Sequence, residues 1–199
     1  LIWVVRAGSS GEDIATGVAV GPSNVIGITG AFSGTSVTIA GKTLVLAGGS
    51  DGFIAQLNST GTFSWAKAVG GAGADSVNSC AFDITSSSLC VTGYFNGSAT
   101  FDRTTLSSVG STDLFVACYS STGGQQFVKR GGGPGSDYGR SIAVSSNRYL
   151  YTTGSYEGIL KFNGFAVGPY GQSDAYVSRL SFITATSDFY KTVRVNMGG

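Results

Sequence analysis

Two sets of aspartates recur along the chain with a nearly constant step. Asp13, Asp75 and Asp137 stand 62 residues apart, and Asp51, Asp113 and Asp174 follow at steps of 62 and 61. A carboxylate in a Gly/Ser-rich loop can ligate a cation, or it can accept backbone N–H bonds at the corner of a turn. Each loop supplies a single Asp, joined only by Glu12 in the first copy, whereas Ca²⁺ collects about six to eight oxygens. The turn role is therefore expected for all six. Recurrence argues the same way, because an active site is normally built once.

Other routes to catalysis are poorly supplied. The chain has no His, the commonest general base and metal ligand. No Gly-x-Ser-x-Gly elbow is present, and outside the Asp loops no two acids suggest a paired-carboxylate hydrolase. The Gly-rich stretches 70–73 and 131–135 lie between expected strands and lack a Gly-Lys-Ser/Thr ending, so they do not read as phosphate loops. No catalytic residue, cofactor or metal ligand is assigned.

Three cysteines remain. Cys80 and Cys90 lie nearly symmetrically about the turn at 83–88. They can form a cross-strand disulfide in an oxidising compartment, or stand as two buried thiols where another copy has Ile142 and Tyr151. Cys118 aligns with Gln56 and Arg179 and reads as more exposed and free. Asn58 in Asn-Ser-Thr and Asn96 in Asn-Gly-Ser are candidate glycosylation acceptors at expected turns.

These residues are carried by a repeat. Trp3, Trp65, Phe127 and Phe189 share the 62-residue step, and the Gly-bounded segments 30–34, 93–97 and 154–158 align at 63 and 61. Within one copy, alternation and breakers predict strands over 77–82, 89–92, 113–119 and 126–129, with 101–106 leading into the third. Ala19, Ala81 and Ala143 are small at matching positions, which suits closely stacked sheets. Most of the 23 aromatics (2 Trp, 9 Tyr, 12 Phe) fall on repeat positions and read as core, with Tyr138, Tyr170 and Tyr190 as loop or single-copy exceptions.

Composition agrees. Of 199 residues, 32 are Gly, 12% are charged and 42% are hydrophobic, a profile of many short strands joined by Gly/Ser/Thr turns rather than of disorder. A net charge of +1 without a basic cluster excludes the usual nucleic-acid footprint. The apolar runs are too short for a membrane-spanning helix. Leu1, with no charged n-region after it, reads as the start of a processed chain or of a piece of a longer one.

The pattern Trp-Ala-Lys-x-x-Gly-Gly-x-Gly-x-Asp at 65–75, Ser-Ile-Ala-Val at 141–144, Tyr-x-Thr-Gly-Ser-Tyr at 151–156 and Ser-Asp-Ala-Tyr-Val-x-x-Leu at 173–180 resembles the SBBP family of β-propeller repeats. The departures are Phe127 and Phe189 in place of Trp, and residues 192–197 where Gly-Gly belongs. The resemblance implies propeller-type blades in a secreted or surface-exposed protein, and no defined catalytic set.

The expected fold is thus all-β, an array of four-stranded antiparallel blades forming a β-propeller or part of one; a threefold trefoil or prism is the alternative. Residues 1–12 supply a strand completing a preceding or neighbouring blade. Residues 13–74, 75–136 and 137–199 are three repeats, the last ending atypically. The expected function is a non-enzymatic structural or assembly module, extracellular or on the cell surface, belonging to an appendage or fibre. Its partners would be copies of itself or neighbouring repeats of a longer chain, with glycans attached, and neither nucleic acid nor membrane insertion is expected. An adhesin binding carbohydrate or protein through face loops is one alternative, and a fragment of an enzyme with its site elsewhere is the other.

Overall fold

The computed structural model describes residues 2–39 and 42–182. Its strands are β1 (Ala7–Gly8), β2 (Asp13–Val20), β3 (Ile26–Phe32), β4 (Ser36–Ile39), β5 (Lys42–Val45), β6 (Asp51–Leu57), β7 (Phe63–Gly71), β8 (Ser76–Asp83), β9 (Ser88–Phe95), β10 (Ser98–Phe101), β11 (Thr104–Ser107), β12 (Asp113–Tyr119), β13 (Gln125–Gly132), β14 (Tyr138–Val144), β15 (Tyr149–Tyr156), β16 (Leu160–Phe162), β17 (Phe165–Val167) and β18 (Asp174–Ser181). Apart from a single 3-10 turn at Pro22–Asn24, no helix occurs among the described residues, and none is long and apolar enough to cross a membrane.

All pairing within the sheets is antiparallel. Strands β2, β3, β6 and β7 form a meander, and β8, β9, β12 and β13 form a second with the same connections. Strands β14, β15 and β18 repeat the order of the first three. Each meander is then extended by a hairpin from further along the chain. Hairpin β10–β11 pairs with β7, through Ala99 opposite Gly71 and Thr100 opposite Gly70. Hairpin β16–β17 likewise joins β13, and β4–β5 joins β1. The expectation of four strands per sheet therefore needs correction. The stretch around 101–106 forms a separate hairpin that is handed back to the preceding sheet.

Side-chain alternation explains why this arrangement holds. A strand hydrogen-bonds along its edges and packs through its faces, so β10 can pair with β7 while its buried face covers the sheet that follows. Phe101 meets Phe115 and Phe95 with ring centroids 4.6 and 5.9 Å apart. The core is accordingly divided into slabs between successive sheets. One gathers Ile54, Trp65, Phe82, Leu89 and Phe115; another gathers Leu114, Ile142, Leu150, Tyr176 and Leu180. A smaller slab lies where β4 and β5 cover β3 and β6, around Val37, Ile39 and Phe53.

Two details recur and lock neighbouring sheets together. Register shifts fall between Ala15 and Gly17, Val77 and Ser79, and Gly139 and Ser141, leaving Thr16, Asn78 and Arg140 as the extra residues. The bulged Thr16 hydroxyl donates to the Val77 carbonyl, and the Asn78 amide donates to the Gly139 carbonyl at 2.8 Å. Trp65 lies on the tight turn of the next sheet, its Nε1–H donating to the Ser121 carbonyl at 3.1 Å. Gly123 in that turn has φ +82° and no room for a side chain beneath the indole. Trp3 makes the same contact with Ser59 at 3.3 Å. Phe127 packs against Phe182 instead, with centroids 6.0 Å apart. Phe189 and Tyr190, and the irregular ending at 192–197, lie outside the described residues.

Candidate functional site

All six aspartates use one device. A carboxylate oxygen of each accepts the N–H of the residue four positions earlier: Ser9 to Asp13 (2.7 Å), Ala47 to Asp51 (2.7 Å), Gly71 to Asp75 (2.8 Å), Val109 to Asp113 (3.0 Å), Gly133 to Asp137 (2.7 Å) and Tyr170 to Asp174 (2.8 Å). Each bond closes the loop entering a strand, so the acid fixes where the strand begins.

The sequence did not show that the two sets meet. The Asp75 N–H donates to the Ser50 carbonyl at 2.9 Å, and the Asp137 N–H donates to the Thr112 carbonyl at 2.7 Å. Short parallel bridges, Ser50 with Ala74 and Thr112 with Ser136, thereby join the loop before β6 to that before β8, and the loop before β12 to that before β14. Asp51 is brought beside Asp75, and Asp113 beside Asp137, all four buried. The remaining oxygens of the later partners are also used: Asp75 accepts from the Asn96 N–H at 3.0 Å, and Asp137 from the Glu157 N–H at 3.3 Å.

Crowding carboxylates away from water makes them harder to ionise. Burial pushes Asp75 up to about 6 against the hydrogen bonds from Gly71 and Asn96, with the neighbouring Asp51 adding to the rise. Asp137 is likewise pushed up to about 6 by burial, opposed by the Gly133 N–H and reinforced by Asp113. Burial raises Asp51 against its bond from Ala47. It also raises Asp113 against the N–H groups of Val109 and Gly110 and the nearby Arg130, whose Nη1 lies 3.2 Å from Asp113 Oδ2.

Two further ion pairs tie elements together. Lys67 Nζ on β7 reaches Asp102 Oδ1 at the tip of β10–β11 at 2.9 Å, pinning the extending hairpin. Arg148 pairs with buried Asp83 at 2.9 Å. Among the described residues no group of three or more His, Cys, Asp or Glu is gathered that could hold a metal ion.

The cysteines differ from expectation. The disulfide joins Cys90 to Cys118, with Cα atoms 4.1 Å apart, and Cys80 is a buried free thiol. Cys90 stands directly opposite Cys118 across β9 and β12, whereas Cys80 stands opposite Val91. An offset of one residue turns a side chain to the other face of a sheet, so Cys80 and Cys90 point into different slabs, where Cys80 donates to the Gly27 carbonyl at 3.7 Å. Cys118 is fully buried rather than exposed.

The two sequons are also unlike. Asn58 sits exposed in the β6–β7 turn, its Oδ1 accepting the Thr60 and Thr62 N–H groups at 3.0 and 2.9 Å. Asn96 is half-buried, and the Nδ2 that would carry a sugar donates to the Ser111 carbonyl. Tyr138 opens β14 and is enclosed by Tyr94 and Arg140 rather than lying free in a loop. Tyr170 is exposed.

Comparison with known proteins agrees with the sheet pattern. Residues 126–155 match the family model SBBP, a beta-propeller repeat. The matched segment covers nearly all of β13 and then β14 and most of β15, so it spans the passage from one sheet to the next. No curated protein matches the chain.

Proposed function

We propose that the whole chain is an open array of beta-propeller-type repeats, three full or partial blades preceded by the closing strand of another, serving as a non-enzymatic structural or assembly module. The observation that carries this reading is an uncovered inner strand at the leading end. On β2, Val18 and Val20 are 71% and 67% exposed, whereas Cys80 and Phe82 at the matching places on β8 are 7% and 6% exposed, and Ile142 on β14 is 6% exposed. Cys80, Phe82 and Ile142 are buried by the sheet before them, with Val144 partly covered in the same way, and the first pair awaits an equivalent neighbour.

A non-catalytic role is favoured by the repetition of the carboxylate device at every strand entry. A disulfide and an exposed sequon favour an extracellular or cell-surface setting. The neighbour that covers β2 is another repeat of the same kind, from the same polypeptide or from a second copy.

Analytical ultracentrifugation across a range of concentrations, with electron microscopy of the same material, tests the assembly role. Head-to-tail association is expected, and Val18→Asp with Val20→Asp should abolish it while leaving the β-sheet circular dichroism unchanged. A compact monomer at every concentration contradicts it.

A further inference from the structure

The two carboxylate junctions are built alike but differ in how their negative charge is met. Arg130 on β13 stands opposite Phe115 and reaches Asp113 from there. The matching residue on β7, opposite Phe53, is Ala68, and 62 residues before it comes Arg6. Among these three equivalent positions, only the middle one lacks a cation, and it is the one beside Asp51 and Asp75.

A second observation falls on the same spot. Asp51 is 1% exposed, and its Oδ1 is buried without a hydrogen-bond partner, an arrangement that is costly unless something else satisfies the atom. That oxygen borders the space above Gly70. A Cβ placed on Gly70 would fall against Asp51 Oδ1 and lie 2.9 Å from Asp75 Oδ2, so both oxygens face one small volume that glycine keeps open. At the other junction Asp113 Oδ2 has Arg130 and the Val109 N–H as partners, and Oδ1 has the Gly110 N–H. The objection that each loop carries a single acid does not apply here, because the fold joins two such loops.

We infer that the Asp51–Asp75 junction binds a hard cation, Ca²⁺ in the first place, which takes the part that Arg130 plays at the equivalent junction. Two carboxylates and water, with carbonyls from irregular Gly-rich loops, form the kind of flexible all-oxygen shell that suits Ca²⁺ better than the strict octahedron of Mg²⁺. Oxygens drawn from loops leading into two successive sheets would make the ion a clasp between them. A site with only two acids belongs in the weak affinity range of extracellular modules, about 0.1–1 mM.

Thermal unfolding of the chain at pH 7.5, in EDTA and then with Ca²⁺ at ten times the dissociation constant, tests the inference. Equilibrium dialysis against radioactive Ca²⁺ supplies the stoichiometry and that constant. The wild type should bind one ion and gain roughly 3 °C in Tm, the shift expected for this ligand excess in a chain of about 200 residues. Ala68→Arg, which installs the internal cation, should unfold at or above the wild-type temperature in EDTA and lose the Ca²⁺ response. Asp51→Asn should lose it too, and Asp113→Asn should keep it. Absence of binding by the wild type overturns the inference, as does a Ca²⁺ response that survives both Ala68→Arg and Asp51→Asn.

Discussion

The slab between the first and second large sheets and the slab between the second sheet and β14–β15–β18 share one backbone plan but are fastened differently. The first is held by Trp65 lying on the Gly123 turn, with a free thiol at Cys80 and an uncompensated acid pair at Asp51 and Asp75. In the second, Phe127 replaces the tryptophan and packs on Phe182; Arg130 meets the acids, and the Cys90–Cys118 disulfide braces one wall. The shared plan is set by backbone features: the bulge in the inner strand, the aspartate at the strand entry and the hairpin passed to the preceding sheet. Side chains filling the slabs can change so long as they stay apolar and alternate correctly.

The largest effect is expected where the hairpin seals a slab. Phe101 is fully buried and touches the rings of Phe95 and Phe115. Phe101→Ala should cost about 3–5 kcal/mol in urea unfolding and loosen β10–β11 from β7. Phe165→Ala, on the exposed outer strand of the other hairpin, should cost under about 0.5 kcal/mol. Equal losses would dissolve the contrast between the sealing and outer strands.

Next comes the disulfide. Cys90 and Cys118 are 28 residues apart in sequence, and releasing such a loop should cost about 3 kcal/mol. Peptide mapping without reduction should yield a single linked pair, Cys90 with Cys118, with Cys80 alkylated only after unfolding. A Cys80–Cys90 link, one of the two arrangements the sequence allows, would contradict the register of β8, β9 and β12.

A third effect is electrostatic. Asp75 and Asp137 are held near 6 in the folded chain against an ordinary value of 3.8, so between those pH values the folded state binds more protons than the unfolded one. Stability in EDTA should therefore fall as pH rises from about 4 to 6 and level off above. Two other groups act in the opposite direction. Burial would raise Asp83, but the Ser86 hydroxyl, the Thr85 N–H and Arg148 together outweigh it and hold it low; Lys67 chiefly lowers Asp102. Their stabilisation is lost as pH falls below the ordinary carboxylate range. The urea midpoint should thus be higher at pH 4.5 than at pH 7.5, whereas a midpoint that climbs steadily to neutrality would show the acid pairs to be ionised without penalty.

Much of this was legible in the chain itself. The all-β character follows from alternation between Gly and Asp breakers, and the strand at 113–119 begins and ends where the sequence places it. The turn role of the six aspartates was readable because an Asp beside Gly and Ser at a strand entry bonds locally. The hairpins were missed because strands of three or four residues carry little periodicity. One signal was present: Asn163-Gly164 between Phe162 and Phe165, with φ +50° and +83°, is a strong short-range hairpin mark. The disulfide was not legible because symmetry about a turn says nothing about face: pairing counted back from Asp83 and Ser88 sets Cys80 opposite Val91, one residue away from Cys90 and therefore on the other face. The meeting of Asp51 with Asp75 depends on contact between loops from different sheets, which no local pattern encodes.

The central claim is that each hairpin extends the sheet before its own. Backbone NOEs in a labelled sample test it most directly. Cross-strand contacts between Gly71 and Ala99, and between Gly70 and Thr100, are predicted, with their counterparts between Gly131 and Phe162. Contacts from Ala99 and Thr100 to the edge of β8 or β13 instead would contradict the account.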